Sequence, residues 1–169
     1  MRQNVTIATD CAAHAAEIAE IVHAAFEKRY GSGAGETALI AALRRDGEVV
    51  VELAALEEGR VVGHAMFSRA GPAPPGCRIA ALAPVAVRID RQGQGIGGAL
   101  IRAGIEACAA QGIEAVVVLG DPEYYGRFGF APTRLGSPYA GPHFQALELK
   151  GGTLAGVAAV AHARAFGQV

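Results

Sequence analysis

Seven consecutive residues, Gln92-Gly93-Gln94-Gly95-Ile96-Gly97-Gly98, hold four glycines and no acidic side chain. Glycine has no Cβ, so the backbone here can approach a ligand closely. The apolar run Ile79 to Val87 reads as a strand just before this turn. A helix follows, from about Gly95 to Ala110. A helix start carries unpaired N–H groups and a partial positive charge. Strand, glycine turn and helix start together predict a site for an anion, above all a phosphate. A pyrophosphate needs several convergent donors, and this turn can supply them from backbone alone.

Gly93, Gly95 and Gly98 also satisfy the GxGxxG pattern of dinucleotide sites. Asp121 follows a strand at 115–119, about twenty residues on, where a ribose-binding acid would stand. Three features weigh against that reading. Arg88-Ile89-Asp90-Arg91-Gln92 separates the strand from the first glycine, whereas a dinucleotide turn leaves the strand almost directly. Asp121-Pro122 reads as a helix N-cap and N1 pair, which occupies the carboxylate. The chain also lacks room for a dinucleotide domain and a substrate domain. On the turn alone, close packing of helix on strand is a further explanation for the glycines.

The elements that must position the turn alternate between helix and strand. Asn4 to Ala8 reads as a strand, and Asp10 as the N-cap of an amphipathic helix over about 11–28. The segment 30–35 reads as a loop, and Glu36 to Arg45 as a short helix. Val49–Leu56 and Arg60–Ser68 form a hairpin about Glu58-Gly59. Gly71 to Gly76, with three prolines, reads as a loop. Ala115–Leu119, Phe144–Leu149 and Leu154–Val160 read as later strands, with a short helix opened by Asp121-Pro122. The expectation is one mixed α/β domain over 1–169.

Bulk properties narrow the function classes. At 169 residues the chain can bury a real core, and half of it is hydrophobic with no Trp. A net charge of −1 offers no electrostatic case for nucleic acid or an anionic membrane. Cys11, Cys77 and Cys108 are far apart and odd in number, and the histidines lack ligand spacing. We therefore expect no disulfide framework, no metal and a reducing compartment. No signal peptide or membrane span is visible, so the expected location is cytoplasmic.

Gln92-x-x-Gly95-x-Gly97 resembles the cofactor signature of the GNAT superfamily of N-acetyltransferases. The flanks agree: Leu82-Ala83-Pro84-Val85-Ala86-Val87 is similar to that family's central strand. Val118 to Phe130, with Tyr124-Tyr125-x-Arg127-Phe128-Gly129-Phe130, is similar to its Tyr-x-x-x-Gly-Phe segment. Val62 to Ser68 also fits, and the details resemble the bacterial YhbS-like group. The likeness spans roughly residues 5 to 166.

The resemblance implies a central mixed, mostly antiparallel sheet flanked by helices, with splayed central strands. It implies acetyl-CoA as cosubstrate. Val85, Ala86 and Val87 would line pantetheine, and Gln92 to Gly98 would hold the pyrophosphate. Tyr125, four residues before Gly129-Phe130, takes the place of a general acid for the departing thiolate. Tyr124 is its neighbour, turned about 100° away if helical. The strand Ile79 to Val87 has no Glu to serve as base. Glu27, Glu52, His64 and Glu123 are candidates by position only. The expected partner is a small-molecule or peptide amine, with a homodimer as one option for assembly. Arg134, His143 and the loops at 30–35, 71–76 and 133–144 are candidates for acceptor choice. A CoA-binding sensor without turnover is the alternative.

Overall fold

The computed structural model describes residues 4–73 and 75–167. In chain order the elements are β1 (Val5–Ala8), α1 (Ala15–Tyr30), α2 (Ala34–Arg45), β2 (Val49–Glu57) and β3 (Arg60–Ala73). Then come β4 (Ile79–Val87), α3 (Ile96–Ala110), β5 (Ala115–Leu119), α4 (Pro122–Gly126), β6 (Ala131–Pro132), β7 (Phe144–Glu148) and β8 (Ala159–His162). The strands form one sheet in the order β1-β2-β3-β4-β5-β7-β6, with β8 on β3. The strand pairings are antiparallel except β4 with β5. The mixed, mostly antiparallel sheet expected from the sequence is therefore present.

Glu58 and Gly59 both have positive φ, 52° and 78°, as a two-residue hairpin turn of type I′ requires. That turn fixes the register of β2 on β3. Side chains then alternate between two helical layers. Leu53, Ala65, Phe67, Ala80 and Leu82 pack with Ile96, Leu100 and Ile101 of α3. Ala54, Met66 and Ala86 pack with Ile18, Val22, Leu39 and Leu43 of α1 and α2.

Gly104 lets α3 lie close on the sheet. A Cβ there would stand 2.0 Å from Phe67 Cε2 and 2.5 Å from its Cζ. Helix propensity favours Ala over Gly by about 1 kcal/mol, but overpacking a tight core costs about 1–3 kcal/mol. Gly104→Ala is therefore expected to destabilise the fold. A lower urea midpoint with unchanged slope checks this.

Three sequence expectations are corrected. Asp10 caps no helix: the chain enters α1 through a 3₁₀ turn at Ala12–His14, so the α-helix starts too far on for that carboxylate. The segment 71–76 is not all loop, because β3 continues to Ala73 and pairs with β8, Pro72 opposite Val160. Past Ala70, β3 is no longer paired with β4, so a proline lacking N–H is tolerated. Pro74 of that segment lies outside the described residues. Residues 154–156 form turns, and the strand expected at Leu154–Val160 begins only at Ala159.

Candidate active site

β4 and β5 pair only at Ile79↔Ala115, Ala80↔Val116 and Ala81↔Val117. Beyond them the strands part. The cause lies in β4 itself. Its register on β3 shifts between Val85, opposite Ala65, and Leu82, opposite Phe67. Ala83 and Pro84 occupy that bulge, and a bulge bends the strand that carries it. Pro84 inside an apolar run was the available sequence signal for it.

The register also aims the backbone. Arg88 N donates to Val62 O at 2.8 Å, which makes that pair hydrogen-bonded. In an antiparallel ladder the bonded pairs alternate. Val85 and Val87, opposite Ala65 and Gly63, therefore turn their N–H and C=O groups away from β3. They face the gap between β4 and β5. Val87 O accepts there from Gln92 Nε2 at 3.1 Å. Among the described residues no strand pairs with this edge of Leu82–Val87. The side chain of Ala86 points the other way, into the layer under α1 and α2.

The glycine turn lies at the end of this edge. Gly93 and Gly95 have φ of 74° and 81°, which only glycine adopts without strain. Ile96 is buried against Gly63 and anchors the turn in the core. No side chain caps α3. Among the described residues the N–H groups of Gly93 to Gly98 donate to no acceptor. Gln92 is exposed and Gln94 half-buried.

Tyr124 and Tyr125 stand on α4, whose N-cap is Asp121: its Oδ1 accepts from Glu123 N at 2.9 Å. The two rings are edge-to-face at 89°. The Tyr124 hydroxyl abuts the turn, 3.1 Å from where a Cβ on Gly97 would sit. Tyr125 lies against Gly120, just past β5, where a Cβ would meet its Cε2 at 2.4 Å. Phe130 packs on its far side at 5.8 Å between centroids. Burial pushes the Tyr125 phenol up to about 12, with smaller effects from Tyr124, Tyr30 and Arg29. Its proton stays on at neutral pH. Gln145, absent from the sequence reading, fixes this corner by donating from Nε2 to Gly120 O at 3.0 Å. A buried amide inside a strand pattern was its only trace in the sequence.

The four base candidates are scattered. Glu52 is half-buried between Arg44 and His64: Arg44 Nε donates to Oε2 at 3.2 Å, and His64 Nε2 lies 2.9 Å from Oε1. His64 is fully closed to solvent. Glu27 is exposed beside His23 of its own helix, and Glu123 is exposed on α4. Arg134 lines a hollow beside β6 and β7, and His143 is exposed next to the end of β5.

Burial alone would raise the Glu52 carboxyl, but the bonds from His64 and Arg44 outweigh it and hold the carboxyl below its ordinary value. A depressed folded pKa contributes stability above the unfolded value of about 4.3, lost as pH falls through the folded value. Wild type is expected to lose stability in that acid window, and Glu52→Gln to lose less of its own there. Urea midpoints against pH read the difference.

Residues 15–130 match the model of the acetyltransferase (GNAT) family. The chain belongs to the GNAT family. Two Escherichia coli K12 proteins are similar in sequence. The uncharacterised N-acetyltransferase YjhQ is 40% identical over 114 residues, covering 64% of this chain and 62% of that protein. The uncharacterised N-acetyltransferase YhbS is 38% identical over 96 residues, covering 56% and 58%. This GNAT chain thus aligns with less than two thirds of either relative's length.

Solved GNAT structures extend the likeness. A GNAT family acetyltransferase from Brucella melitensis, in complex with acetyl-CoA, has a TM-score of 0.84 at 33% identity, covering 98% of this chain and 99% of that one. YhbS from Escherichia coli, in complex with CoA, has a TM-score of 0.83 at 28% identity, covering 99% and 94%. The family expected from the turn and the Tyr-Tyr segment is thus confirmed over the whole fold.

Among the described residues, no group of three or more His, Cys, Asp or Glu could hold a metal ion. No helix there is long and apolar enough to cross a membrane.

Proposed function

We propose that this chain transfers the acetyl group of acetyl-CoA to a primary amine by direct attack. The observation that carries the reading is the free edge of β4 beside six unpartnered amides. Pantetheine is an amide chain, and the outward N–H and C=O groups of Val85 and Val87 suit it as a strand suits a strand. The amides of residues 93–98 would hold the pyrophosphate, and Val85 and Val87 would line the arm; Ala86, expected from the sequence to join them, turns its side chain to the opposite layer and its backbone groups to β3.

In the transfer, the amine nitrogen attacks the thioester carbonyl and the C–S bond breaks. The thiolate takes the Tyr125 phenol proton, the amine gives its proton to water, and the Tyr125 phenolate regains a proton from water before the next turnover. The cysteines support a direct route. Burial pushes the Cys11 and Cys108 thiols to about 12, so neither is a ready nucleophile for an acyl-enzyme. Glu52 is committed to both Arg44 and His64, which favours water as proton acceptor. The acceptor is a small-molecule or peptide amine, and the location is cytoplasmic.

The test is thiol release from acetyl-CoA across a panel of primary amines. Amine-dependent release is expected. Tight acetyl-CoA binding with no release on any amine would leave a sensor domain instead. Since burial pushes the Tyr125 phenol up to about 12, kcat should show no falling limb from its ionisation up to about pH 11. A descending limb near pH 9 that vanishes in Tyr125→Phe would contradict this.

A further inference from the structure

Two arginines stand on the open side of the phosphate turn. Arg102, on α3, lies 4.8 Å over the Phe128 ring, with Nη1 3.2 Å from where a Cβ on Gly98 would sit. Arg127, just past α4, lies 4.4 Å over the Tyr124 ring and donates from Nε to Tyr124 O at 3.2 Å. Burial raises the Tyr124 phenol most, while both guanidiniums pull it down, so both reach the same hydroxyl electrostatically. That hydroxyl abuts Gly97. Helix α3 and the turn that follows α4 thus bring two positive charges beside the phosphate turn.

The contrast with the turn's near side is informative. Arg88 is bound by Asp90, and Arg91 by Asp90 and Glu57. Those charges are spent within the protein. Among the described residues neither Arg102 nor Arg127 has a carboxylate within ion-pair distance. Each instead lies over an aromatic ring, a cation–π contact that holds the guanidinium fork in place while leaving most donors free. A fork of this kind matches a phosphate.

We infer that Arg102 and Arg127 form a second phosphate site that reads the 3′-phosphate of CoA. The inference rests on the cofactor reading above. In CoA a single ribose separates the pyrophosphate from the 3′-phosphate. With the pyrophosphate on the amides of residues 93–98, the second phosphate must lie within one sugar of that turn. Arg102 and Arg127 border it there. Their role is to discriminate CoA from the same molecule lacking one phosphate, and it adds nothing to the thioester chemistry.

Calorimetric titration with CoA and with dephospho-CoA tests this without turnover. Arg102→Gln and Arg127→Gln should each weaken CoA by about fivefold, the range of an exposed charge pair, and change dephospho-CoA less than about twofold. Wild-type affinity for CoA should also fall more steeply with salt than that for dephospho-CoA. That comparison needs no variant. Equal losses for both ligands, as stacking on adenine would give, or no loss for either, would overturn the inference. So would parallel salt slopes. If the wild-type chain bound neither ligand, the cofactor reading itself would fail and carry this inference with it.

Discussion

Tyr125→Phe is expected to lower kcat for acetyl transfer by about 10²–10⁴-fold, with the Kd for acetyl-CoA held within about threefold. The ring packs against Gly120, Phe130 and Tyr124, and phenylalanine keeps all of those contacts. Only the hydroxyl is lost. Among the described residues that hydroxyl makes no hydrogen bond, so its removal leaves no buried partner stranded. A fall in kcat without a fall in stability therefore isolates proton delivery to the thiolate. Tyr124→Phe is the control. Its hydroxyl abuts the phosphate turn, so it should change the Kd more than kcat. The reverse pattern would give the acid's role to Tyr124. Wild-type kcat in Tyr125→Phe would remove the proposed acid.

Gly97→Asp is expected to weaken acetyl-CoA at least about 100-fold while leaving the thermal midpoint unchanged or raised. The two effects come from one charge. Gly97 is the second residue of α3, and a carboxylate in a first turn stabilises a helix by about 0.3–1 kcal/mol. The new Cβ would sit 3.1 Å from the Tyr124 hydroxyl, at the free end of a side chain. The fold should absorb it. The same carboxylate would accept from the turn's free amides and repel a pyrophosphate. Equal binding by wild type and Gly97→Asp would mean that the phosphate does not lie on this turn.

What the sequence made legible followed from local rules. Glu58-Gly59 specified its hairpin, Asp121-Pro122 its helix start, and Gly93 and Gly95 their left-handed turn. The turn, the preceding strand and the Tyr-Tyr segment were enough to place the chain in its family. Long-range pairing was less visible. β8 seats on a proline-bearing stretch of β3, and nothing local in Gly71-Pro72 announces a partner at Ala161 and Val160. The Gln145 bond to Gly120 joins β7 to the bend after β5 and could not be read along the chain. Glu52 and His64 looked available as bases because Glu52 bonds both His64 on the next strand and Arg44 on α2, pairings that do not show along the chain. The strand break itself was half-visible, as Pro84 in an otherwise uninterrupted apolar run.

Hydrogen exchange with and without acetyl-CoA tests the central claim most directly. The amides of residues 93–98, and those of Val85 and Val87, face open space in the free protein. On addition of acetyl-CoA the account predicts slowed exchange at both places together. Protection confined to other segments, or none at saturating acetyl-CoA, would contradict a cofactor held between the β4 edge and the glycine turn.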